Sequence, residues 1–149
     1  MTPEQVKLVQ DSFAKVAPIA DEAAGLFYDR LFVIAPDVRS LFPDDLSAQK
    51  KKLMQMLASA VTNLHQVEKI IPAVQDLGRR HAGYGVTANH YEPVGAALLW
   101  TLEQGLGPAF TPQVKEAWTE TYATVAGVMK TVAAEVIPEK KGLMARLFG

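Results

Sequence analysis

The chain has 149 residues, 49% of them hydrophobic and 21% charged, a balance that fits one globular domain burying roughly two-thirds of its unfolded surface and excludes a disordered chain. Lys and Arg number 15 against 16 Asp and Glu, a formal net charge of −1, so no basic field exists to hold a nucleic-acid backbone or an anionic membrane surface. Cysteine is absent, which removes disulfides, iron–sulfur clusters, thiolate zinc and thiol nucleophiles together.

Met1-Thr2-Pro3-Glu4-Gln5 has neither the basic stretch nor the apolar run of a signal peptide, and no segment reaches the ~20 apolar residues of a membrane helix. A cytoplasmic protein without a transmembrane segment is expected. Thr2 with Gln5 three residues on predicts a capped helix start, and Pro3 is tolerated in the first turn. Val6, Val9, Phe13 and Val16 then share one face, and Pro18 interrupts. Ala23, Leu26, Phe27, Leu31 and Ile34 mark a second amphipathic helix that Pro36 closes. A short helical turn is expected from Asp37 to Phe42.

Pro43-Asp44-Asp45 is a loop signal, and Ser47 begins a helix with Leu53, Met56, Leu57, Ala60, Val61 and Leu64 in helical register. Gln49 extends that stripe by one turn. Pro72 is predicted to begin the next helix, with Val74, Leu77 and His81 in register and Gly83 and Gly85 at its end. His81 therefore faces inward. Asn89 is the expected cap of a helix bearing Tyr91, Val94, Leu98 and Leu102, closed by Gly105 and Gly107. Thr111-Pro112 opens the longest helix, with Val114, Trp118, Val125, Met129, Val132 and Val136 on one side. No alternating run is long enough for a strand, and no repeat of 20 to 50 residues appears. The prediction is an all-α domain over residues 1–137 with about six main helices and a short one. A tail over 138–149 reads as a short amphipathic helix that docks on the body, binding to a membrane surface being the other reading.

His65, His81 and His90 show no spacing that two protein ligands to one metal would need. A porphyrin supplies four nitrogens of its own, so a single inward imidazole suffices for haem iron. On spacing alone a residue such as His81 is more often a hydrogen-bonded core histidine, Tyr28 more often a core residue, and Gln49 more often a solvated one.

Taken together, Phe27-Tyr28, Leu41-Phe42-Pro43, Gln49 with Lys52-Leu53-Met54, Leu77-Gly78-Arg79-Arg80-His81, His90-Tyr91-Glu92-Pro93-Val94-Gly95 and Ala117-Trp118 with Tyr122 closely resemble bacterial single-domain globins and the globin part of flavohaemoglobins. The resemblance runs from about Thr2 to Val136 in the family's order. It implies a globin fold, haem b as cofactor, His81 as the proximal iron ligand and Phe42 as the ring packed on the porphyrin. Tyr28 and Gln49 match the family's distal pair, whose O–H and N–H can donate to bound oxygen. Leu53 would wall that side, and Leu77, Val86 and Val94 would line the proximal side; each fits an ordinary core residue as well. Lys52 is the choice for a haem propionate, and a solvated face accounts for Lys50-Lys51-Lys52 equally.

Three readings of function follow from the resemblance. The first is high-affinity binding of oxygen, with nitric oxide and carbon monoxide as further ligands. The second is a nitric-oxide dioxygenase served by a separate reductase, in which Tyr28, Gln49 and Tyr91 take part. In flavohaemoglobins a glutamate works with the tyrosine that Tyr91 matches; its position here holds Ala133, and Glu135 lies about 200° round the helix. The third is a haem-free globin fold acting as an interaction protein, against which His81, Tyr28 and Gln49 argue. His65 and His90 read as surface or structural.

Overall fold

A computed structural model describes the backbone of residues 1–148 and the side chains of residues 1–135. Helix α1 (Pro3–Val16) starts where the capping pattern places it: Gln5 N donates to Thr2 Oγ1 at 3.1 Å and Thr2 N to Gln5 Oε1 at 3.0 Å, satisfying donors that a helix start leaves without partners. A 3-10 turn at Ala17–Ile19 leads into α2 (Ala20–Ile34), and a second at Pro36–Leu41 follows it. Asp45 then accepts from Ser47 N at 2.9 Å at the start of α3 (Ser47–Thr62).

Helix α4 runs over Val67–Gly83 with Pro72 inside it. The expectation that Pro72 opens the helix is therefore five residues late. As the sixth residue of the helix Pro72 gives up the bond to the Glu68 carbonyl and crowds it, and burial of Ile70 beside Val74 holds the preceding turn in place. The helix ends at Gly83, and Gly85 takes φ +96°, a left-handed conformation open to glycine at little cost. Thr87, not Asn89, caps the next segment: His90 N donates to Thr87 within a capping box, and Thr87 N donates to His90 Nδ1 at 3.0 Å. Helix α5 (Tyr91–Leu106) follows, and α6 (Pro112–Phe148) is the longest. The expected docking of the 138–149 tail concerns side chains outside the described residues. Among the described residues there is no strand.

The apolar faces of these helices build two cores. The larger joins Val9, Phe13, Phe27, Tyr28, Leu31, Leu98 and Leu102 around Trp118, whose indole is 1% exposed and donates to Ser12 Oγ at 2.8 Å. The smaller joins Ile70, Val74, Tyr91, Ala126 and Met129. Helix α2 packs on α5 and α3, and α4 packs on α6, while α3 and α4 barely touch. Glycine permits the tightest of these approaches. A Cβ at Gly78 would stand 2.8 Å from Met129 Cα of α6. The two cores thus form without close packing of α3 on α4.

Candidate functional site

On the α2–α3 side, Tyr28 has its ring buried, 3% exposed, in the larger core. Four aromatic rings meet there, with Phe27 edge-on to Tyr28 at 5.0 Å between centroids. Tyr28 and Phe42 stand edge-on at 5.5 Å between centroids, Phe32 and Phe42 also at 5.5 Å, and Tyr28 and Phe32 at 6.0 Å. Such edge contacts favour one ring orientation, since the positive rim of one ring faces the negative face of the next. Burial pushes the Tyr28 phenol above its ordinary value, and the Gln49 side chain beside it opposes the rise. Its hydroxyl is not among the buried polar atoms cut off from both solvent and partners. Buried ring and uncommitted oxygen leave this hydroxyl able to donate.

Helical spacing brings Leu53 one turn on from Gln49, and both are half-buried. Phe42 and Val94 are half-buried against the same core. On the opposite side, Leu77 and Val86 pack half-buried against the smaller core. Apolar surface therefore lines both walls without being fully covered by protein.

His81 rises from α4 on that opposite side. Its Nδ1 lies 2.8 Å from the Leu77 carbonyl; a carbonyl oxygen only accepts, so in the neutral ring Nδ1 carries the proton and Nε2 the lone pair. Nε2 makes no hydrogen bond among the described residues. Burial lowers the His81 pKa, the Leu77 bond works against that, and the Arg80 charge adds to the lowering. A neutral imidazole with one nitrogen anchored and the other free is the form that ligates a metal. The exposed Tyr84 lies beside it, ring centroids 6.2 Å apart.

Behind this wall Tyr122 donates its hydroxyl to the Tyr91 carbonyl at 2.6 Å, fixing the start of α5. The Tyr91 hydroxyl is buried with no partner among the described residues, and the Lys130 ammonium stands 5.5 Å from its ring centroid. Ala133 is buried and Glu135 exposed, so no carboxylate from that turn of α6 reaches the Tyr91 hydroxyl. Lys52 is exposed and forms no ion pair among the described residues. His65 is exposed, and His90 serves as a cap. Among the described residues no three of His, Asp and Glu converge as metal ligands, and no helix is long and apolar enough to cross a membrane.

The site residues therefore fall into two groups, Tyr28, Phe42, Gln49 and Leu53 on one core and Leu77, His81, Val86 and Tyr91 by the other. The pattern of the globin family matches residues 25–129, well over half of the chain. The chain is a globin. Membership implies a haem site, and the donor set fits one: a single anchored imidazole, apolar walls and no competing protein ligand.

This globin is 30% identical over 126 residues to the flavohemoprotein of Bacillus subtilis, covering 81% of the chain and 31% of that relative. It is 27% identical over 131 residues to the flavohemoprotein of Rhodopirellula baltica, covering 86% of the chain and 32% of the relative. The chain thus spans about a third of the length of these flavohemoproteins. Among solved structures, a bacterial globin from Campylobacter jejuni superposes with a TM-score of 0.81 at 24% identity, covering 92% of this chain and 99% of that one; it shares the fold. An engineered carbene transferase from Rhodothermus marinus, named as a candidate nitric oxide dioxygenase, superposes with a TM-score of 0.86 at 26% identity, covering 95% and 99%.

Sequence reasoning missed Arg39 and Lys130. Each acts through stacking on an aromatic ring, Phe32 and Tyr91 respectively, and helical periodicity carries no signal for such contacts.

Proposed function

We propose that this globin holds haem b through His81 Nε2 and binds oxygen with high affinity, Tyr28 and Gln49 donating to the ligand from the opposite face. When bound, haem supplies ferrous iron that takes a diatomic ligand reversibly. The observation that carries the reading is the neutral, Leu77-anchored imidazole on one wall, with the buried Tyr28 ring and its reachable hydroxyl on the other. Phe42, Leu53, Leu77, Val86 and Val94 exclude water from between them. Lys52, exposed at the edge of α3, is placed to meet a propionate. Oxygen acquires partial negative charge on binding and gains from both donors, whereas carbon monoxide gains less. Two donors at about 1 kcal/mol each slow oxygen loss on the order of tenfold or more.

The second reading is a nitric-oxide dioxygenase working with a separate reductase. The superposition on a protein named as a candidate dioxygenase favours it. The unpartnered Tyr91 hydroxyl and the Lys130 cation over that ring weigh against it. Without a carboxylate to draw on, Tyr91 has nothing to relay toward His81, and a nearby cation disfavours electron donation to iron.

Stopped-flow oxygen dissociation in Tyr28→Phe and Gln49→Leu tests the reading. A rise of about fivefold in Tyr28→Phe, with a similar or smaller rise in Gln49→Leu, is expected from the loss of one donor of about 1 kcal/mol each. Rates unchanged in both variants contradict the distal assignment. Sustained nitrate formation with a reductase would move the conclusion to the second reading.

A further inference from the structure

Tyr28 donates usefully only if its ring is held in one orientation, and one of the rings that hold it, Phe42, stands on a short turn with few bonds of its own. The 3-10 turn at Pro36–Leu41 ends at Phe42, and Pro43, Asp44 and Asp45 follow as exposed residues. The carbonyls of Phe42, Pro43 and Asp44 have left the helical pattern. One side chain serves all three: Arg39 donates from Nη1 to Phe42 O at 3.3 Å and to Pro43 O at 2.9 Å, and from Nη2 to Asp44 O at 3.2 Å. The face of the same guanidinium lies over Phe32, 5.0 Å from the ring centroid. Phe32 and Phe42 are two of the three rings around Tyr28, Phe27 being the third. Arg39 is half-buried and forms no ion pair among the described residues, so no carboxylate competes for it.

We propose that Arg39 is a positioning residue for Tyr28, clamping the 42–44 turn and the Phe32 ring so that the tyrosine hydroxyl keeps one orientation toward the ligand. The inference rests on the reading that Tyr28 is a distal donor. Guanidinium is suited to the task because its planar fork serves several oxygens while its face stacks on an aromatic ring. Lysine carries the same charge as a single point and reproduces neither contact in full. Losing the clamp frees Phe42 to move, so the Tyr28 ring keeps Phe27 on one edge but loses its other edge-on neighbour.

The test is the infrared C–O stretch of the carbon monoxide complex of the haem-loaded full chain, with oxygen dissociation rates alongside. That stretch responds to a nearby hydrogen-bond donor, which a loss of stability alone does not move. Wild type, Tyr28→Phe, Arg39→Ala and Arg39→Lys are compared at a temperature where circular dichroism shows each folded. The expected result is one main band in wild type, a shifted band in Tyr28→Phe, and in both Arg39 variants a split band with a component at the Tyr28→Phe position, with oxygen loss several-fold faster. A wild-type band in Arg39→Ala, where Tyr28→Phe shifts it, overturns the proposal alone. A wild-type band in Arg39→Lys overturns the forked clamp, and that variant carries the test if the alanine protein does not fold. A band that Tyr28→Phe leaves in place overturns the distal reading and this inference with it.

Discussion

Replacing two glycines by alanine should move stability in opposite directions. Gly78 and Gly127 both sit inside helices with ordinary backbone angles, so alanine gains up to about 1 kcal/mol at each by restricting the unfolded chain and raising helix propensity. At Gly127 nothing lies within 4 Å of an added Cβ, and the full gain should appear. At Gly78 the Cβ meets Val132 Cγ2 at 2.6 Å, Met129 Cα at 2.8 Å and Met129 O at 3.0 Å. Two of these atoms are backbone and cannot rotate aside, so overpacking should cost about 3 kcal/mol, the upper end of the usual range. The net is a loss of about 2 kcal/mol at Gly78 against a gain of up to about 1 at Gly127. For a chain of this size that corresponds to Tm falling by roughly 4–8 °C and rising by roughly 2–4 °C. Thermal unfolding of the haem-free protein reads both directly. Haem retention should also fall in Gly78→Ala, because α4 carries His81 and must move away from α6. Equal stabilisation by the two substitutions would refute the close approach of α4 to α6 at this point.

Three further outcomes are expected. Tyr91→Phe removes a buried hydroxyl that has no partner, so urea denaturation of the haem-free protein should show no loss and a gain of up to about 1 kcal/mol; a clear loss would reveal a partner. Trp118→Phe removes the indole N–H that bonds buried Ser12 at 2.8 Å and shrinks a ring that is 1% exposed, which should cost about 2–4 kcal/mol by the same measurement. The third concerns pH. Burial holds His81 below its ordinary value of 6.5, so the unfolded chain takes up the proton first as pH falls. Its contribution to stability is therefore fully present above that ordinary value and is lost as pH drops through the folded value below it. Haem-free wild type should lose more stability than His81→Gln between neutral pH and about pH 5; parallel profiles would contradict the depressed imidazole.

The helices were legible because their punctuation is local. Thr2 with Gln5, Pro36, Ser47, Gly85 and Gly107 act through bonds or angles within a few residues, and each lies at a helix boundary in the structure. Pro72 and Asn89 misled for a shared reason: rules for proline and asparagine describe preference, while burial of Ile70 and the reciprocal Thr87–His90 bonds decide the outcome. His81, Leu77 and Val74 were readable as one stripe because α4 presents one face inward. The side-by-side placement of Tyr28 and Gln49 was not readable from spacing, since it joins two helices, and came only through resemblance. Arg39, Lys130 and the unpartnered Tyr91 hydroxyl were invisible because each depends on contacts between distant segments or on an absent neighbour.

The most direct test of the account is the ultraviolet–visible spectrum of the purified protein in ferric, dithionite-reduced and oxygenated forms, alongside His81→Ala. The account predicts a Soret band that shifts on reduction and again with oxygen, and a variant that loses haem or its axial-ligand signature while keeping its helical circular dichroism. A wild-type protein that takes up no haem when supplied with it, or a His81→Ala protein with an unchanged spectrum, would contradict the assignment of His81 as the iron ligand.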